Sequence, residues 1–322
     1  MTTPSAPEPM LATLTDKYFS DPAWMFERKL DGERVIGFRH GSDVTLRSRT
    51  GHALDATYPE LVDAIGGQSV SDFVIDGEVV AFEGTRTSFE RLQQRIGLTN
   101  PREVAASKVA IYYYVFDLLR LDGKDVTGLP LRDRKRLLRD AIEFHDPLRF
   151  TTHRNTNGET YLSEACSKGW EGLIAKRAEG RYVHGRSRDW LKFKCVAEQE
   201  FVVGGFTDPA GSRRGFGALL VGYYTGPDSS GHASLRYAGK VGTGYNEKTL
   251  ADLRARMDEL LRDTQPFTGA PVRERGAHWI EPEIVAQIGF TEWTRDGKLR
   301  HPRYLGLRRD KDPHDVVREV PS

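Results

Sequence analysis

The sequence predicts an α+β chain in two domains: a larger mixed domain first, and a small β-barrel with one helix after it. Three observations lead there. The chain has 322 residues, which suits two domains or one large one. Up to about residue 195, β-branched and aromatic runs alternate with stretches of helical periodicity. After Cys195 the texture changes to short strand-like runs separated by Gly-rich turns.

Residues 1–20, with Pro4, Pro7 and Pro9, read as an arm draped over the surface. Strands are expected at Trp24–Lys29, Arg34–Arg39 and Val44–Ser48, and a short helix at Tyr58–Ile65. Phe73-Val74-Ile75 leads into Asp76-Gly77-Glu78-Val79-Val80, a buried strand interrupted by acids. Phe89–Arg95 reads as helix, and Ile111 to Leu119 as a buried strand broken by Asp117. Leu131–Glu143 has apolar residues at 131, 137, 138, 141 and 142, which suits a helix lying on a sheet. A helix at Gly158–Lys168 and strands at Leu173–Lys176 and Trp190–Lys194 complete the first domain.

The boundary falls near Val196–Gln199, giving domains 1–197 and 198–322. In the second, Glu200–Phe206, Ala218–Tyr224 and Leu235–Ala238 are strand-like. Asn246 can cap a helix from Glu247 to about Arg262, with Leu250, Leu253, Met257, Leu260 and Leu261 on one face. Further strands are expected around His278–Ile288 and Thr291–Thr294. Several strands with one helix in this length suggest a barrel of the oligonucleotide-binding kind.

Composition narrows the classes. Hydrophobic residues make up 38% and charged residues 29%, as in soluble globular proteins. There is no run of 18 apolar residues, so no membrane span is expected. Met1 to Met10 lacks the basic start and apolar core of a signal peptide. Cys166 and Cys195 fit no metal-site spacing, and nothing suggests a disulfide framework. The expectation is a cytoplasmic protein. Net charge is +1, so any nucleic acid must be held by local patches. Candidates are Arg132 to Arg139, Arg213-Arg214 and Arg308-Arg309, each of which can also be a solvated face.

Charged residues inside apolar strands are costly unless paired or used. Here they are Lys29, Glu78, Asp117, Lys176, Lys192 and Lys194, with Glu171 beside the strand at 173–176. A lysine nucleophile needs a deprotonated amine, which burial and cations such as Lys192 and Lys194 favour. A bound triphosphate needs Mg²⁺, which takes one or two carboxylates, here Glu78 and Glu171. Phe116 offers an aromatic wall for an adenine ring. Lys176 can be an ion-pair partner of Glu171, and Asp117 a buried hydrogen-bonding residue. Competing sites are absent: there is no GxxxxGK[ST], no HExxH and no GxSxG, and Gly242-Thr243-Gly244 lacks the third glycine of a dinucleotide fingerprint.

The ordered set Lys29-Leu30-Asp31-Gly32, Ser48-Arg49-Thr50-Gly51, Asp76-Gly77-Glu78, Tyr114-Val115-Phe116-Asp117, Glu171 to Lys176 and Trp190 to Lys194 resembles the motifs of covalent nucleotidyltransferases. That superfamily comprises ATP-dependent DNA ligases, RNA ligases and GTP-using mRNA-capping guanylyltransferases. Gly211 to Leu220, Tyr237 to Gly244 and the ending Arg308-Arg309-Asp310-Lys311 resemble the ligase part of bacterial end-joining ligases. The likeness runs from about Met10 to about Val316.

The resemblance implies a nucleotidyltransferase (ATP-grasp-like) catalytic domain of antiparallel sheets plus an OB-fold barrel. It implies an ATP-dependent DNA ligase that seals nicks through a lysyl-AMP and a DNA-adenylate, in DNA repair. RNA ligase and capping enzyme are the alternatives. Lys29 would attack the α-phosphate, and Glu27 would lie by the adenine on which Phe116 stacks. Arg34 and Arg49 would contact the sugar and later the DNA end. Glu78 and Glu171 would organise Mg²⁺ or Mn²⁺. Arg188, Lys192 and Lys194 would bind phosphates, and Arg308, Asp310 and Lys311 would orient pyrophosphate. Arg213 and Arg214 would either contact DNA phosphates or form a solvated hairpin. The implied partners are nicked duplex DNA and end-joining repair proteins, for a monomer associated with the nucleoid and not with a membrane.

Overall fold

The computed structural model describes residues 8–195, 197–209, 215–226 and 233–320. Its contacts divide the chain at Cys195/Val196 into two compact units.

The first unit is built on two sheets. One has five strands in the order Met10–Leu14, Gly185–Lys194, Gly172–Arg177, Trp24–Lys29, His153–Arg154. The other has seven, its main path running Asp43–Ser48, Glu33–His40, Asp72–Glu83, Ile111–Leu121, Lys124–Asp125. Alternation along these strands gives each sheet two distinct faces. One face of the seven-stranded sheet packs Val35, Ile75, Val79, Tyr113 and Val115 with Leu61 and Ile65 of helix Pro59–Gly66, Phe89 and Leu92 of helix Phe89–Gln93, and Leu138 of helix Leu131–Ala141. One face of the five-stranded sheet packs Phe26, Leu173, Ala175 and Phe193 on Tyr161, Leu162 and Ala165 of helix Gly158–Ser167. A third cluster, with Met10, Ile36, Val74, Phe116, Tyr182 and Trp190, joins the two sheets to each other. Side chains that carry chemistry sit at its margin.

Several expectations are corrected here. The arm at 1–20 is not simply draped: Met10–Leu14 pairs in parallel with Gly185–Lys194, and Met10 is fully buried. Helix Pro101–Ser107, started by Pro101 and capped by the Asn100 side chain, was not expected because it buries only Val104 and so carries little periodicity. Cys166 and Cys195 are joined in a disulfide, closing a loop from the end of helix Gly158–Ser167 to the end of strand Gly185–Lys194. Spacing alone gave no sign of it, since the pairing depends on where a helix and a distant strand both end. The basic run at 132–139 is not wholly solvated either. Arg134 and Lys135 are buried together with Leu131 and Leu138, four positions that share one helix face.

The second unit is a curled sheet, a half-barrel. Its strands run Leu235–Val241, Leu219–Tyr224, Ala197–Thr207, Ala277–Phe290, Leu261–Arg262, and Arg303–Leu307 pairs with the far end of Ala277–Phe290. Irregularities at Val203/Gly205, Val221/Gly222 and Gln287/Ile288 bend the strands and let the sheet coil. Asn246 caps helix Glu247–Glu259 by accepting from the Thr249 N–H at 2.8 Å. Leu253 and Met257 of that helix are buried against the inner face of the sheet. The helix is shorter than expected. Leu261 lies beyond it, pairs with Ile280 and is exposed.

Candidate active site

The site is a consequence of register. Across three antiparallel strands Lys29 faces Gly172, which faces Lys194; Glu27 faces Ile174, which faces Lys192. Two positions further on, Lys176 faces Trp190. Side chains at alternate positions share a face, so Lys29, Glu27, Lys176, Lys192 and Lys194 gather on one side of the sheet. Lys29 Nζ forms an ion pair with Glu171, the residue before its strand partner Gly172.

Two glycines make this approach possible. Gly172 has φ +149°, and a Cβ there would lie 1.9 Å from the Phe193 carbonyl oxygen. At Gly32 a Cβ would lie 2.1 Å from the Val79 carbonyl oxygen and 3.0 Å from Glu78 Cγ. Gly32 is therefore required by contact between backbones as well as by the turn it makes. The contact presses the turn after Lys29 onto the strand that carries Glu78.

Glu27 is the buried acid of this face. Its carboxylate takes Lys135 Nζ at 2.6 Å on one oxygen and Lys176 Nζ at 2.7 Å on the other. Burial would raise its pKa, but Lys135 and Lys176 outweigh burial and hold it low. Burial lowers Lys176 to about 8, with Lys135 adding to the effect and Glu27 opposing it. Lys135 also donates to the carbonyls of Phe116, at 3.3 Å, and Thr151, at 3.1 Å. Over the Phe116 ring stand Lys176 Nζ at 4.0 Å and the Arg34 guanidinium at 4.5 Å, and Trp190 meets it edge-on. Arg34 is held by Asp76 through two bonds of 2.5 and 2.6 Å, and reaches the Met10 carbonyl at 3.2 Å. Asp76 in turn accepts from the Tyr182 hydroxyl at 2.7 Å.

The expected residues thus fall into groups. Lys29 pairs with Glu171, Lys192 and Lys194 share the sheet face of Lys29, Glu78 lies on the strand that Gly32 packs against, and Glu27, Phe116 and Arg34 form a buried layer. Glu27 is buried with both oxygens bonded to lysines, the face of Phe116 carries cations, and Arg34 is committed to Asp76. Lys176 pairs with Glu27 rather than with Glu171, the alternative partner, because its strand position lies two residues beyond Ile174, the partner of Glu27. Asp117 is fully buried and bonded to Arg134 at 2.7 and 2.8 Å. Arg49 is half-buried in the turn after Ser48, whose strand partner Val35 adjoins Arg34. Arg188 is exposed, in the segment where the pairing of Gly185–Lys194 with Met10–Leu14 is irregular. Arg308 and Lys311 belong to the second unit. There Arg308 bonds Asp310 at 2.9 and 2.8 Å, and Lys311 approaches Glu200 at 3.1 Å. Arg213 and Arg214 lie outside the described residues.

Sequence reasoning passed over Lys135, Arg134 and Asp76 as site residues. A signal was present: 131, 134, 135 and 138 share one face of a helix, and two of them are charged. Among the described residues no three His, Cys, Asp or Glu side chains cluster as a metal cage. One or two carboxylates, such as the Glu171 paired with Lys29, suit an ion that takes the rest of its shell from phosphate oxygens and water, as Mg²⁺ does.

Two sheets joined by a shared apolar cluster with a lysine–glutamate pair on one of them, followed by a curled half-barrel, are the architecture of a nucleotidyltransferase domain joined to an OB-fold domain. The chain belongs to the ATP-dependent DNA ligases: residues 9–194 match the model of the ATP dependent DNA ligase domain, and residues 212–311 match that of its C terminal region. It is 36% identical over 304 residues to the multifunctional non-homologous end joining protein LigD of Pseudomonas aeruginosa, covering 93% of this chain and 35% of that protein. To the multifunctional non-homologous end joining DNA repair protein LigD of Mycobacterium tuberculosis it is 36% identical over 319 residues, covering 97% and 40%. The chain therefore spans a third to two-fifths of the length of these relatives. A solved structure of mycobacterial DNA ligase D complexed with ATP and MES matches with a TM-score of 0.68 and 32% identity, over 99% of this chain and 100% of that one.

Proposed function

We propose that this chain seals nicks in duplex DNA, joining a 3′-hydroxyl to a 5′-phosphate at the expense of ATP, within DNA end-joining repair. The observation that carries the proposal is the Lys29–Glu171 ion pair, set on a sheet face shared with Lys192 and Lys194 and pressed against the strand of Glu78. In the first step the Lys29 ammonium, held by Glu171, loses a proton to water and its amine attacks the α-phosphorus of ATP. The new bond is P–N; the bond to pyrophosphate breaks, and the nitrogen sheds its second proton to water. Lys192 and Lys194 offset the charge of the phosphates, so the protein contributes chiefly position and electrostatics. The AMP then passes to a 5′-phosphate, restoring the lysine amine, and the neighbouring 3′-hydroxyl displaces AMP to close the strand.

Glu78 and Glu171 would hold the divalent cation, Mg²⁺ or Mn²⁺, which supplies further charge neutralisation on the phosphates. Adenylation is assigned to residues 1–197, and the OB-fold, residues 198–322, is assigned to the DNA. Action as a monomer in the cytoplasm, on nucleoid DNA and beside end-joining proteins, belongs to the same proposal.

The test is incubation with α-labelled ATP or GTP followed by denaturing electrophoresis, then sealing of a nicked duplex. Label is expected from ATP alone, and Lys29→Ala should lose both the label and sealing. Sealing by Lys29→Ala protein at the parent's rate would remove the assignment.

A further inference from the structure

Arg28 stands immediately before Lys29, and strand alternation sends the two side chains to opposite faces. The Arg28 guanidinium lies over the Trp170 ring at 4.5 Å, with Phe82 at 5.9 Å. Its Nε and one terminal nitrogen are buried and have no hydrogen-bond acceptor. Burial lowers its pKa, and the groups pulling the other way are the hydroxyls of Tyr114 and Tyr161. Aromatic faces offset part of the cost of such a charge, but its N–H donors still lack a partner.

Further cations stand close by. Lys168 Nζ is 5.3 Å from the Trp170 ring centre, and an Arg86 terminal nitrogen is 2.9 Å from where a Cβ on Gly169 would be. Lys168 and Arg86 are exposed, so the half-buried guanidinium sits at the edge of a basic surface. The second terminal nitrogen of Arg28 is not among these buried atoms, and an oxyanion reaching the guanidinium from that open side would offset its charge.

We propose that Arg28, supported by Lys168 and Arg86, is a phosphate-binding site for a DNA strand, separate from the site at Lys29. The proposal rests on the nick-sealing reading above. The same phosphate chemistry exists in the tail of ATP. The opposite facing of Arg28 and Lys29 favours the strand, since the tail must lie along the face where the lysine attacks.

The test compares the parent with Arg28→Met, Arg28→Lys and Lys168→Ser, each as the full chain. Adenylation by labelled ATP, and equilibrium binding of a nicked duplex over a range of salt, are measured on each. Arg28→Met should weaken nick binding about tenfold and lower the salt slope by about one phosphate contact. Arg28→Lys should recover part of the affinity and the slope. The loss in nick binding should exceed any loss in adenylation. Lys168→Ser, an exposed change that leaves the core intact, should lower the slope even if Arg28→Met does not fold. Unchanged affinity and slope in Arg28→Met and Lys168→Ser would overturn the strand site. So would an adenylation loss matching the binding loss, which would assign the phosphate to ATP. A parent that neither binds nor seals nicks would instead remove the reading on which this site rests.

Discussion

Lys135 and Glu27 are 108 residues apart in sequence and 2.6 Å apart in space. Lys176 approaches the same carboxylate at 2.7 Å, so one buried acid serves two buried ammonium groups two residues from Lys29. The group carries an excess positive charge in a place with almost no access to water.

That imbalance orders the effects of substitution. Glu27→Gln leaves two ammonium groups around a neutral amide and should cost about 3–5 kcal/mol of stability. Lys135→Met leaves a one-to-one pair and forfeits the bonds to the Phe116 and Thr151 carbonyls, for a smaller cost of about 1–2 kcal/mol. Urea unfolding of the two variants measures the difference. Equal losses would contradict the charge count.

The same group sets a pH dependence. Lys176 titrates at about 8 in the folded chain against 10.5 as its ordinary value. Its folded pKa is lowered, so between these values the unfolded chain binds more protons and stability rises with pH. Below about pH 8 the full penalty applies, on the order of 3 kcal/mol from the size of the shift. Relative to Lys176→Met, the parent should therefore gain stability from pH 8 to 10.5. Unfolding free energies of both proteins across this range check the sign.

Gly32 and Gly172 flank the lysine from two different segments, and each is closed to a Cβ by a carbonyl oxygen. Gly32→Ala and Gly172→Ala should each cost roughly 2–4 kcal/mol through overpacking and backbone strain. Gly128, where a Cβ would meet nothing within 4 Å and where φ is not positive, is the control. Gly128→Ala should change stability by less than about 0.5 kcal/mol. Thermal unfolding of the three variants tests the contrast.

Much of the site is legible in sequence because strands repeat every two residues. Lys192 and Lys194 read as co-facial from spacing, and the motif order points to Lys29, Glu78 and Glu171 without any knowledge of pairing. Local rules fail where partners come from elsewhere. Proximity in sequence pairs Lys176 with Glu171, its nearer acid, although register gives it to Glu27. Met10 reads as part of a loose arm because a five-residue strand preceded by prolines has no periodicity to show. Arg134 and Lys135 read as a solvated run when taken as a cluster of charge, while the helix turns them inward.

Spacing along the chain is enough to mark most of the long strands and helices, the nucleophile candidate and its accompanying acids, but not the strand Met10–Leu14 or the helix Pro101–Ser107. Only the tertiary structure decided that Glu27 is shared by Lys135 and Lys176, that Arg34 is held by Asp76, and that buried donors of Arg28 have no acceptor. The physical reason is that the energy of a buried charge depends on what the rest of the fold places within a few ångströms of it. No local pattern encodes that distance.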